Sequence, residues 1–123
     1  MIAEQYINEA KRIRRIYLQN IREIVKQEPK VIERRNFAHK TQEEMEITVH
    51  SDVNDLKKSL ELNSRLLVLE KEINAIQDII RPFYDNIEKL KNDTDRLYLS
   101  IKEKYPDLDM NTIQEEIIAS LDE

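Results

Sequence analysis

The chain of 123 residues contains no glycine, no cysteine, no tryptophan and only three prolines. At average usage a chain this long would carry about eight or nine glycines. Glycine supplies the positive-φ residues on which tight hairpins, bulges, phosphate-cradling loops and nucleophile elbows depend. Its absence therefore argues against sandwiches, barrels, Rossmann-type folds and P-loops. Without cysteine there is no disulfide framework and no thiolate metal site, and the expected address is cytoplasmic. No apolar run approaches the ~18 residues of a membrane span, so no membrane role is expected.

What is present is charge and aliphatic bulk. Charged residues make up 37% of the chain, and Leu, Ile, Val and Phe account for 36 of the 123 residues. That aliphatic share is too high for a disordered polymer. The formal charge of −5 is unevenly placed: residues 1–40 hold ten Lys/Arg against five Glu, whereas 41–123 hold ten against twenty acids. Such asymmetry fits either a partner-binding surface or antiparallel packing of one half on the other. The expected fold is all-α: an elongated helical hairpin with a long heptad-repeat coiled-coil helix and a short C-terminal helix.

From Ala3 to about Gln27, Tyr6, Ala10, Ile13, Tyr17, Ile21 and Ile24 recur at helical spacing. Lys11, Arg12, Arg14, Arg15, Arg22 and Lys26 gather on the other side, making an amphipathic helix with a basic outer face. Pro29 is expected to end or kink this helix. Residues 30–50 are ambiguous. Thr41 three residues before Glu44 suits a capping box and a helix from about 42. The alternating Met45, Ile47 and Val49 suit a β-hairpin instead.

Leu62, Leu66, Leu69, Ile73, Ile76, Ile80, Phe83, Ile87, Leu90, Thr94, Leu97 and Ile101 follow alternating steps of four and three. A repeat of 3.5 residues keeps one seam facing a partner, which is the requirement of a left-handed coiled coil. Taking Leu66 as position a, β-branched residues dominate a and leucines dominate d, a composition that favours two parallel strands. The heptad phase passes unbroken through Pro82, so a continuous helix kinked near 82 is expected. Pro106 ends it. Asp109 or Asn111 then caps an acidic tail helix whose apolar residues are Met110, Ile113, Ile117, Ile118 and Leu121.

These assignments divide one helical domain into a basic helix and turn (1–40), a long coiled-coil helix (41–105) and a tail (106–123). A turn near Asn36–Lys40 would set Tyr6 beside residue 72 and Ile24 beside residue 54. Residues 76–104 would then carry about 40 Å of uncovered apolar seam. Self-association through the residues from Leu62 to Ile101, most simply as a homodimer, is the expected remedy.

Chemistry is hard to place. His39 and His50 match no zinc spacing, paired acids such as Glu43–Glu44 read as solvated charge, and no phosphate loop can form without glycine. No catalytic, metal or cofactor site is expected, and the chain is read as a non-enzyme. The functional expectation is a helical interaction or adaptor protein that self-associates and binds a different protein through its helices, the tail helix among them. Two alternatives are a nucleic-acid accessory protein using the basic face, and an α-helical assembly chaperone using a hairpin within 30–50. The nucleic-acid alternative is the less favoured because the chain is acidic overall.

Overall fold

A computed structural model describes residues 2–51 and 56–122, with the side chains of 49–51 left out. It is all-α, with helices α1 (Glu4–Ser51), α2 (Leu56–Lys104) and α3 (Met110–Leu121). Among the described residues none has a positive φ. Between α2 and α3 the chain uses a proline and a polar cap in place of glycine. α2 stops at Lys104, two residues before Pro106, and the Asp109 carboxylate accepts the Thr112 N–H at 2.7 Å to cap α3. Lys102 Nζ reaches forward and donates to the carbonyls of Pro106 and Leu108. Those carbonyls lie outside any helical ladder, and the ammonium satisfies both.

The ambiguous stretch 30–50 is helix, and the turn expected near Asn36–Lys40 is absent. α1 runs on through Pro29, as α2 runs on through Pro82. Both prolines are exposed on outward sides of their helices. The carbonyls they leave unbonded, at Val25 and Asp78, lie on exposed residues where water can take the place of the missing N–H. The helix expected over 41–105 is accordingly divided: its first part belongs to α1, and only its part from Leu56 onward forms α2. Thr41 lies mid-helix and donates its hydroxyl to the Phe37 carbonyl, so it caps nothing.

The chain divides into two compact units, one of residues 1–22 with 83–123 and one of residues 23–82. In the first unit, the start of α1, the end of α2 and all of α3 share one apolar core. Ile2, Ala10, Ile13, Leu90, Leu97, Ile101, Ile113 and Ile117 are buried there, with Tyr6, Ile16 and Tyr105 packed around them. Ile101 and Ile113 have no exposed surface. Each fully buried isoleucine contributes about 1.5–3 kcal/mol of transfer free energy. The N-terminal residues are tied in by hydrogen bonds, from the Ile2 N–H to Glu116 and from the Ala3 N–H to the Tyr105 hydroxyl oxygen. Tyr6 and Tyr105 meet edge to face, with ring centres 6.4 Å apart.

The second unit consists of the later part of α1 and the earlier part of α2. Ile24, Val31, Leu62 and Ile80 are its buried aliphatic residues, together with Thr41 and Thr48. Arg34 joins the two helices through an ion pair of 2.9 Å with Glu72. In the first unit α1 and α2 are joined by a hydrogen bond from Asn86 to Asn20, at 3.1 Å. In both pairs the residue numbers mirror about position 53, which places the reversal of the chain well after Lys40.

This register gives α1 a heptad seam of its own. One series is Ala10, Tyr17, Ile24, Val31, Ala38 and Met45; the other is Tyr6, Ile13, Asn20, Gln27, Arg34, Thr41 and Thr48. Apart from the exposed Tyr17, all of them are buried or half-buried. Several polar members also bond to their own helix. Asn20, Arg34, Thr41 and Thr48 donate to the carbonyls of Ile16, Lys30, Phe37 and Glu44, each four residues earlier. A side chain bonded to its own helix can sit in a seam without a cross-helix partner.

Candidate functional site

Three sets of residues were candidates from the sequence, and their placements differ. The coiled-coil seam of α2 faces inward in each unit. Leu62, Ile80, Leu90, Leu97 and Ile101 are buried, and Leu66, Leu69, Ile73, Ile76, Phe83 and Ile87 are half-buried. α1 is the covering element in both units, joined in the first by α3. Because α1 runs to Ser51, the seam of α2 is not left bare beyond a short first helix, as a turn near Asn36–Lys40 would have left it.

The basic face is partly engaged in the fold. Arg12 donates to Glu9, its Nη2 lying 2.6 Å from Oε1 and its Nε 3.0 Å from Oε2. Asp93 of α2 stands 3.8 Å from the same guanidinium. The hydrogen bonds from Arg12 hold the Glu9 carboxyl below the usual carboxylate range, and Glu9 in turn raises Arg12. Arg14 donates to the Leu121 carbonyl at 2.7 Å. A cation there satisfies the last carbonyls of α3 and the negative end of its dipole. Lys11, Arg15 and Arg22 are exposed and, among the described residues, form no ion pair. With Arg14, Leu18 and Gln19 they line a shallow hollow on the first unit. Lys26 is also exposed but belongs to the second unit.

The tail helix is divided between core and surface. Ile113 and Ile117 are buried and Leu121 packs against the same core, whereas Met110 and Ile118 are exposed. The anchors at i, i+4 and i+8 therefore already occupy a groove, that of their own first unit. Ile118, 59% exposed, is the main apolar residue the tail still presents.

A feature not anticipated lies beside it. A trough of about 430 Å³ opens in the first unit between α1, α2 and the last turns of α3. Its walls include Ala10, Ile13, Tyr17, Ile87, Leu90 and Ile117, and Arg14, Lys91 and Asp95 stand around them. The sequence signal was Tyr17, an aromatic at an inward heptad position, which is 42% exposed at the wall of the trough. The second unit, for its part, exposes Val25 and Ile32 on α1, and Leu56, Leu60, Leu67, Val68 and Ile79 on α2. Leu56, Leu60 and Leu67, at spacings of four and seven, make one stripe along α2.

Among the described residues no three of His, Asp and Glu converge as a metal site would require. His39 pairs instead with Glu43 one turn on, at 3.1 Å. No described helix is long and apolar enough to cross a membrane. Comparisons with protein-family models, with curated proteins and with solved structures gave no match.

Proposed function

We propose that this chain is a non-enzymatic helical interaction protein, which acts through outward helix faces by self-association and by binding a different protein. The supporting observation is the second unit's exposed apolar stripe, with Leu56 at 67% and Leu60 at 57% exposure. Single exposed leucines are ordinary, but a run of them on one helix edge marks a protein-binding surface. The internal seam supplies rigidity, and the outer stripe supplies contact area. Among the described residues the second unit is built from two helices alone, and a second copy of the chain would cover the stripe.

Light scattering across a dilution series tests the reading. The expected mass is that of a dimer, falling to a monomer when Leu60→Glu and Leu67→Glu are combined. A monomer at every concentration, together with no protein captured from the native host, contradicts it.

A second reading, as a nucleic-acid accessory protein, is favoured by Lys11, Arg15 and Arg22 remaining exposed and unpaired in ions on one helix face. Contacts of this kind go to phosphates and carry a steep salt dependence. Filter binding at low salt is its test: no retention of single- or double-stranded nucleic acid removes it. The assembly-chaperone alternative depended on a hairpin within 30–50, and the helix there leaves it without that support.

A further inference from the structure

α3 ends beside Arg14, whose guanidinium binds the Leu121 carbonyl. α1 continues within the same unit to Arg22, roughly 12 Å or two helical turns farther. Over that distance no third helix of the first unit covers the cleft between α1 and α2 among the described residues, and the trough lined by Tyr17, Ile87 and Leu90 is the result. The chain itself shows what such a cleft accepts. α3 fills the neighbouring stretch with Ile113 and Ile117 inward, while Glu115 and Asp122 remain exposed in water. It carries acids and no base.

The open stretch has matching electrostatics. Arg14 and Lys91 stand at its edges with Asp95 as the one acid, and Lys11, Arg15 and Arg22 lie on the adjoining face of α1. Cations around an apolar floor favour an amphipathic helix of acidic character over a neutral or basic one. A trough of this volume suits two or three aliphatic side chains, such as one helix edge presents at i and i+4.

We propose that this trough is the docking site for an acidic amphipathic helix of a partner protein, laid end to end with α3 and held by Arg14 and Lys91. The trough's lining residues all belong to the first unit and the stripe's to the second, so each can be disrupted without substituting the other.

The probe is a fluorescein-labelled synthetic peptide with the sequence of residues 107–122, titrated with the full chain while anisotropy is read at low salt. Saturable binding is expected, weakened at least tenfold by the exposed substitution Lys91→Glu and strengthened by Asp95→Lys. Arg96→Glu, on the other side of α2, should leave it unchanged. Circular dichroism melts confirm that each variant is folded. Four outcomes overturn the proposal. One is no binding at millimolar chain. Another is equal binding to Lys91→Glu, which means the peptide has displaced α3. The third is equal loss in Arg96→Glu, which means the attraction is diffuse. The last is a dimer mass abolished by Lys91→Glu, which means a second copy is the occupant.

Discussion

The two units are built from the same pair of helices, yet they bury different chemistry. In residues 1–22 with 83–123, a third helix lies over the pair, and eight aliphatic side chains form one core. In residues 23–82 one of the two inward series of α1 is polar, reading Gln27, Arg34, Thr41 and Thr48, and the other is Ile24, Val31, Ala38 and Met45. The first unit gains its stability from apolar area. The second holds polar residues in its seam at small cost because Arg34, Thr41 and Thr48 bond their own helix, and it leaves several large aliphatic residues in water. The difference shows how one heptad pattern serves two ends. With a third helix the pair buries a mainly apolar core, and without one the pair keeps a polar series inside and apolar side chains on its surface.

The comparison can be broken by substitution. Ile101→Ala, in the closed core, should cost about 2–5 kcal/mol in urea unfolding, as a cavity at a fully buried site does. A cost well under that range would mean the core is looser than its burial implies. Thr41→Val in the polar seam should do the opposite and stabilise by up to ~1 kcal/mol, because its hydroxyl serves only the Phe37 carbonyl. A destabilisation would reveal a role for that hydroxyl across the seam. Next in size is the Arg34–Glu72 pair, both members of which are substantially exposed. A double-mutant cycle with alanine at each should give a coupling below ~1 kcal/mol, with most of it lost at high salt.

The smallest effect belongs to the cap of α3. The backbone hydrogen bond from Thr112, with a smaller share from its side chain, holds the Asp109 carboxyl below its ordinary value. A carboxyl depressed in the folded state stabilises above its unfolded pKa, near 3.9, and loses that contribution as pH falls through the folded value. The melting temperature should therefore drop in this window below about pH 4. Asp109→Asn keeps a capping oxygen and should flatten this component. An unchanged pH profile in the variant would place the acid sensitivity elsewhere.

Much of the fold was legible in the sequence. The missing glycines excluded β folds, and the four–three steps from Leu62 to Ile101 located the seam. The same phase carried the helix correctly through Pro82, and Asp109, one of the two expected caps, is the cap of α3. What misled was α1. Pro29 resembles a stop, but its place on the outer side lets the helix continue. The polar series from Asn20 to Thr48 hid the partner seam, since apolar periodicity is the signal that is read and half of it was absent. Misplacing the reversal by about fifteen residues then left α2 looking bare, and a dimer seemed necessary to cover it. The trough was not legible, because it depends on where α3 stops relative to α1. No sequence period records that distance.

The central claim is that α1 covers the seam of α2 within a single chain, in the register that pairs Arg34 with Glu72. The absence of native cysteine makes it directly measurable. In the variant carrying Arg34→Cys and Glu72→Cys, a short bifunctional thiol reagent should cross-link the two positions at the mass of one chain. In a control with Arg34→Cys and Lys57→Cys, the second site lies about 22 Å away along α2 and should not react in this way. Cross-links that appear only between chains, or that form in the control and not in the matched pair, would contradict the account.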